Sequence, residues 1–142
     1  MVWGGISAES RTNLVFIENG TLTAHRYIQE VLHNHVVPFA RRVGVNFILM
    51  HDNARADAAR QVTDFLRHEG INTLNWAARS PDLNPIEHVW DAMGRRIRRQ
   101  VYETLDDIRA ALTLEWEEMP QDDIRNLVMG MPGRIRSVVG AR

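Results

Sequence analysis

A run of apolar residues, Val45-Asn46-Phe47-Ile48-Leu49-Met50, leads directly into His51-Asp52, and that junction constrains the fold more than any other stretch. Apolar side chains at nearly every position predict a strand buried on both faces, as in a parallel sheet covered by helices. Functional groups of open α/β sheets gather where such strands end, and Asp52 stands there. A second acid, Glu87, follows after 34 intervening residues. That interval accommodates one helix, one strand and two loops, so an acid leaving a strand and an acid entering a helix can return to one place. Carboxylates gathered that way suit hard cations such as Mg²⁺. A pair of such ions can activate a water or hydroxyl and stabilise the leaving oxygen of a phosphodiester.

The intervening pattern fits this reading. Residues 56–69 predict a short helix with Ala58, Val62, Phe65 and Leu66 on one side, stopped by Gly70. Residues 71–76 read as the next strand, and the order strand, helix, strand implies a right-handed crossover and a parallel pair. Pro81 and Pro85 stiffen the loop that follows. Asn84 is a good cap before Pro85 at the first helical position. The helix expected over 86–100 buries Ile86, Val89, Trp90, Met93 and Ile97, with Glu87 in its first turn and off that stripe. Arg98 lies close to three turns beyond Glu87 on the same meridian, and Arg95 is near it. Arginines along one exposed face beside an acid fit a phosphate track next to a metal site, although a solvated helix face explains them equally simply.

Before this core, residues 1–7 and 13–18 are strand-like and predict a hairpin, with Asn19-Gly20 as a tight turn. A sheet that begins at its second residue suggests that one of its strands is missing. Thr23 can cap a helix with Tyr27, Ile28, Val31, Leu32, Val36 and Phe39 inward, kinked or ended by Pro38 and stopped by Gly44. Beyond residue 100 the chain reads as a helical C-terminal extension. Thr104-Leu105-Asp106-Asp107 has capping-box form and opens a helix with Leu105, Ile108, Leu112 and Trp116 inward. Pro120 ends it, a short helix carries Ile124, Leu127 and Val128, and residues 134–139 are expected to form a last helix.

Composition excludes several classes. At 142 residues and 44% hydrophobic content the chain is one domain with a real core. It has no cysteine, so disulfides and thiolate metal sites are excluded. No apolar run approaches a membrane span. All 17 basic residues are arginine, compatible with bidentate phosphate contacts but equally with coding bias. His33 and His35, two apart on a helix, point different ways and make no zinc pair. Trp3, Trp76, Trp90 and Trp116 read as core residues.

The string Ser80-Pro81-Asp82-Leu83-Asn84-Pro85-Ile86-Glu87-His88-Val89-Trp90, with Asp52-Asn53-Ala54-Arg55 upstream at that spacing, resembles the Tc/mariner superfamily of transposases. Residues 1–7 and 14–17, Tyr27-Ile28, Glu115-Trp116 and Met131-Pro132 before Arg134-Ile135 agree with it, so the resemblance covers essentially the whole chain. It implies an RNase H-like mixed sheet flanked by helices, and an Asp-Asp-Glu triad holding two Mg²⁺ or Mn²⁺. The implied chemistry is hydrolysis at transposon ends followed by strand transfer into target DNA, commonly at TA. Carried over by motif, the second acid is Asp52 and the third is Glu87. Asn53, Arg95 and Arg98 are candidate DNA contacts. DNA and a second copy of the chain are the expected partners, no small-molecule substrate is expected, and for a eukaryotic source the place of action is the nucleus.

Three departures from the family's pattern stand out. The strand carrying the first acid and the helix-turn-helix region have no counterpart in residues 1–142, so the resemblance reads as an N-terminally truncated catalytic domain. Asp57 stands where relatives usually carry histidine, and it is most simply a first-turn acid that complements a helix dipole. Ala77 stands where proline is usual. On this reading the 142 residues alone are expected to bind Mg²⁺ weakly, to self-associate through an open sheet edge, and neither to nick nor to join DNA. The alternative is a degenerate or domesticated remnant that serves as a non-catalytic DNA-contacting or interaction module. A plain RNase H-type nuclease fits the spacing less well.

Overall fold

The computed structural model describes residues 1–50, 60–74, 85–130 and 137–141. Strand β1 (Val2–Ser7) pairs antiparallel with β2 (Val15–Phe16), Val2 facing Phe16 and Trp3 facing Val15. This is the expected hairpin, and its exit turn places Asn19 and Gly20 at φ 57 and 112, conformations that asparagine and glycine tolerate best. Thr12 Oγ1 accepts from Gly5 N at 2.9 Å, which ties the connection between the strands back onto β1. Trp3 and Ile6 are fully buried, so β1 runs through the core rather than along its surface.

Thr23 caps the next helix as anticipated, its hydroxyl accepting from Arg26 N. Arg26 also pairs with Glu30 one turn on, Nε to Oε2 at 2.6 Å. A first turn, α1 (Ala24–Arg26), passes into a wider helix over Tyr27–Val36 and returns to α geometry in α2 (Val37–Val43). In the wide stretch the turns close five residues back, as where Val37 N donates to Leu32 O. Its buried positions are Tyr27, Val31, Leu32 and Val36, recurring at four and five residues, which suits the wider turn better than the 3.6-residue period. Pro38 does not end the helix: it stands where the wide turns give way to α geometry, and the helix runs on to Val43. Gly44 stops the helix at φ 98.

The predicted strand at 45–50 is shorter than its apolar run. β3 is Ile48–Met50, and Val45 lies in a turn, almost wholly exposed. Helix α3 (Arg60–His68) buries Val62 and Leu66, and Gly70 at φ 71 ends it. β4 (Asn72–Leu74) runs parallel to β3, with Ile48, Leu49 and Met50 opposite Asn72, Thr73 and Leu74. The strand, helix, parallel strand order is therefore observed.

Helix α4 (Pro85–Ile97) opens on Pro85 and buries Ile86, Val89, Trp90 and Met93 on one stripe. Helix α5 (Leu105–Glu118) carries the full capping box: Thr104 Oγ1 accepts from Asp107 N, and Asp107 accepts from Thr104 N. Leu105, expected inward, is mostly exposed, because the inward stripe of α5 reaches full burial only at Trp116. Pro120 ends α5 and starts α6 (Gln121–Met129), which buries Ile124 and Val128. Among the described residues, no helix is long and apolar enough to cross a membrane.

The last element corrects the sequence expectation. Instead of a helix over 134–139, β5 (Ser137–Ala141) is a strand that pairs antiparallel with β1 along five positions, Trp3 opposite Ala141 through Ser7 opposite Ser137. Val138, Val139 and Gly140 are poor helix formers and the first two are good strand formers. The decisive force is tertiary: β1 offers backbone groups within the core that must be paired. The hydrogen-bonded order is β2-β1-β5, with β3-β4 as a second pair, and β5 also lies against β3 and α4. The second edge of β1, expected to be open, is thus occupied.

Candidate active site

Two packed elements frame the site, and both are positioned from below by the core. Met50, the last residue of β3, is fully buried and belongs to one cluster with Ile86, Val89, Trp90 and Met93 of α4 and Ile6 of β1. Asp52 follows Met50 by two residues and Glu87 follows Ile86 by one. The strand leading to Asp52 and the first turn of the helix carrying Glu87 are therefore anchored in the same apolar cluster. Glu87 is half-buried at the N-terminus of α4, where the helix's uncommitted N–H groups and dipole favour a negative charge. Asp52, Asn53 and Asp57 lie outside the described residues, as do Trp76, Ala77 and the 80–84 loop with its Asn84 cap.

A second layer fixes the height of α4. Trp90 stacks on Trp116 of α5 with ring centroids 5.6 Å apart and planes at 21°. Trp116 is held in turn by its indole N–H donating to Thr12 O at 2.9 Å. The end of α5 is fastened by Arg11, whose guanidinium donates to the carbonyls of Trp116 and Met119 and to Gln121 Oε1. A cation on the last carbonyls of a helix satisfies acceptors that have no partner within it and complements the dipole. Burial lowers the Arg11 pKa from its ordinary value. Trp116 is legible as an inward residue of its helix, but Arg11 and Gln121 do not emerge from motif reading. The only signal for them is an arginine in the loop after an apolar strand.

Arg95 on α4 and Arg98 in the turn just after it, short of the helix end expected at residue 100, are both exposed, but they border different grooves. Arg98 stands over a groove floored by Val2, Trp90, Met93 and Leu112, its guanidinium folded back toward Gly94. Arg95 borders the groove between α4 and α6, with His88, Asp123 and Asn126. Asp91 lines both. It stands one turn after Glu87, and that i, i+4 spacing is the signal by which it could have been found. Arg96 is partly neutralised by Glu115 at 3.2 Å. Among the described residues no group of three or more His, Cys, Asp or Glu side chains gathers.

Residues 1–109 match the family described as DDE superfamily endonuclease. The chain is similar to the transposase of the Tcb1 element of Caenorhabditis briggsae, 32% identical over 143 residues, covering all of this chain and 52% of that protein. It is similar in structure to the Mos1 transposase catalytic domain solved with raltegravir and Mg, at a TM-score of 0.77 and 22% identity over 94% of this chain and 70% of that one. The Mos1 paired-end complex with the left transposon end also matches, at a TM-score of 0.70 and 24% identity over 88% of this chain and 41% of that one. The fold is thus RNase H-like, a mixed arrangement of helices and small sheets. The chain spans about half the length of the curated relative it matches.

Proposed function

Because the chain belongs to the DDE superfamily of endonucleases, among the Tc1/mariner transposases, we propose that it forms part of the catalytic domain of a cut-and-paste DNA transposase. Asp52 and Glu87 are two of its metal-holding carboxylates. The observation that carries this reading is the common anchorage of Met50 and Ile86, which brings the β3 end and the α4 start to one cluster. Carboxylate oxygens, one two residues past β3 in the sequence and one at a helix N-terminus, in a chain without cysteine, are a donor set for a hard divalent cation. Mg²⁺ or Mn²⁺ bound there supplies charge neutralisation at a phosphodiester and an activated water or 3′-hydroxyl. The protein's own part is to hold Glu87 at a fixed height on a helix braced by the Trp90–Trp116 stack.

DNA is the substrate on this reading, first at a transposon end and then at a target such as TA. Mos1 in complex with a transposon end supports it by analogy of fold. Arg95, Arg98 and Asn53 contact phosphate, a second copy of the chain takes part, and the place of action is the nucleus. The test is Mn²⁺ binding by water-proton relaxation on the chain and on Asp52→Asn and Glu87→Gln. Each substitution is expected to weaken binding by roughly tenfold, the lower end for loss of a metal-supporting group. Unchanged Mn²⁺ affinity in both variants would rule out the assignment.

A further inference from the structure

We propose that Gly94 is a positioning residue for DNA: having no side chain, it opens a seat on α4 in which Arg98 holds a backbone phosphate. The inference rests on the catalytic reading above and adds a residue to it. Gly94 lies within α4, where glycine lowers helix stability relative to alanine. No turn calls for it: φ is positive at Gly20, Gly44 and Gly70, whereas Gly94 is helical. Packing does not call for it either. A Cβ built on Gly94 meets only the tip of Arg98, with Nη1 at 3.3 Å and Cζ and Nη2 at 3.8 Å, and an exposed guanidinium can swing aside. At Gly4, by contrast, the same addition runs into a buried indole. A glycine that weakens its helix and makes room for nothing rigid in the folded chain is accounted for by something that approaches from outside.

The surroundings specify what approaches. Gly94 follows Glu87 by seven positions, about two turns, so the two share a meridian of α4, and Arg98 in the following turn comes next along it. Arg98 is tied to this glycine at both ends. Its backbone N–H donates to Gly94 O at 3.1 Å, and its guanidinium folds back over the space that a side chain would fill. That charge borders a groove of about 340 Å³ floored in part by Val2, Met93 and Leu112. Arg96 is partly neutralised by Glu115, whereas Arg98 has no acid partner among the described residues. Asp91, the other charged side chain on the groove, stands on the Glu87 side of the glycine, so the seat is cationic at the end away from Glu87. A planar guanidinium without a partner suits a phosphate, and a DNA strand carries phosphates in series. Gly94 is roughly 10 Å along the axis from Glu87, and one strand offers a phosphate about every 3.4 Å, so a strand that reaches Glu87 presents another phosphate to the seat about three nucleotides on.

The test compares Gly94→Ala, Gly94→Leu and Arg98→Ala with the parent chain in thermal unfolding, in Mn²⁺ binding and in binding to a short random-sequence DNA duplex. Alanine and leucine are better helix formers than glycine, so Tm is expected to hold or rise in both glycine variants, with Mn²⁺ affinity unchanged. The leucine side chain fills the seat and displaces the guanidinium. DNA affinity of Gly94→Leu is expected to fall roughly eightfold at about 0.1 M salt, and the salt slope by about 0.9, the share of one phosphate. Gly94→Ala is expected to fall between it and the parent. Arg98→Ala should lose as much as Gly94→Leu, and adding Gly94→Leu to Arg98→Ala should cost nothing further. Full DNA affinity in Gly94→Leu beside a weakened Arg98→Ala overturns the seat and leaves the phosphate contact standing, and full affinity in all three overturns both. A Gly94→Leu chain that loses Tm and Mn²⁺ binding along with DNA binding also overturns the proposal, because the glycine is then structural. The catalytic assignment fails on a different reading, unchanged Mn²⁺ affinity in Asp52→Asn and Glu87→Gln, which involves no DNA.

Discussion

Gly4→Ala is a small substitution with a large expected effect. In an ordinary strand, adding a methyl to glycine stabilises by roughly 0.4–1 kcal/mol, through loss of freedom in the unfolded chain. At Gly4 the new Cβ would stand 2.6 Å from Trp116 Cη2, 3.0 Å from Cζ2 and 3.1 Å from Cζ3. The neighbour is a rigid indole face rather than a flexible chain end. It is 2% exposed, bonded to Thr12 O and stacked on Trp90, so it has nowhere easy to go. Overpacking of this kind costs about 1–3 kcal/mol. The clash wins, leaving a net loss of about 1–2 kcal/mol, or roughly 2–8 °C in Tm for a chain of this size. The assay is urea unfolding followed by circular dichroism, together with Gly4→Ala/Trp116→Leu and Trp116→Leu alone. Gly4→Ala is expected to cost nothing further once the indole is gone, a coupling of about 0.5–3 kcal/mol. A Gly4→Ala chain as stable as its parent, or strict additivity in the cycle, refutes the reasoning. Since Trp90 carries the displacement into α4 one turn beyond Glu87, Mn²⁺ affinity is expected to fall in Gly4→Ala as well.

Arg11→Ala leaves the carbonyls of Trp116 and Met119 without their donor and is expected to cost roughly 1–2 kcal/mol. Arg11→Lys should recover only part, because one ammonium does not span two carbonyls as a guanidinium does, and equal stability of all three chains would show the bonds are idle. His35 lies against Trp3 with ring centroids 6.3 Å apart, and burial lowers its pKa below the ordinary 6.5. The unfolded chain therefore takes up the proton first: the His35 contribution is full above pH 6.5 and is lost as pH falls below it. His35→Gln should flatten that part of the stability profile, and an unchanged profile would exclude the residue as its source. Arg95→Ala and Arg98→Ala should each weaken DNA binding on all sequences and reduce the salt slope by roughly 0.9 for each phosphate no longer neutralised. Binding unchanged in both would leave the two side chains as solvent-facing only.

Local signals are legible wherever a single residue carries its own chemistry. Thr23, Gly44, Gly70, Pro85 and the Thr104–Asp107 box act within one turn, and each does in the structure what its side chain favours. The helix stripes are legible for the same reason, with Val62, Leu66, Ile86, Val89, Trp90, Met93, Ile124 and Val128 all inward. What escapes depends on partners remote in sequence. Residues 137–141 form a strand because β1 needs one, and no local property of Ser-Val-Val-Gly-Ala states that need. The wide helix over Tyr27–Val36 reads as α in the sequence because 4-and-5 spacing overlaps the 3.6 period over so short a stretch. At the site, the Asp52-to-Glu87 interval and Pro85 at the first position of Glu87's helix are readable. The Arg11 clasp and the Trp90–Trp116 brace join positions up to 110 residues apart and are not.

The 130 positions between Ser7 and Ser137 also set a schedule. On a ribosome adding about 5–20 residues per second, β1 waits roughly 7–26 s after its own synthesis before β5 exists. The hairpin with β2 can form early, but the edge that β5 covers lacks that strand until residues 137–141 have been made, and an unpaired edge is a template for other strands. Shielding of the nascent edge thus decides how much of the protein matures, and faster elongation or a holding chaperone should raise soluble yield without any change in the folded molecule.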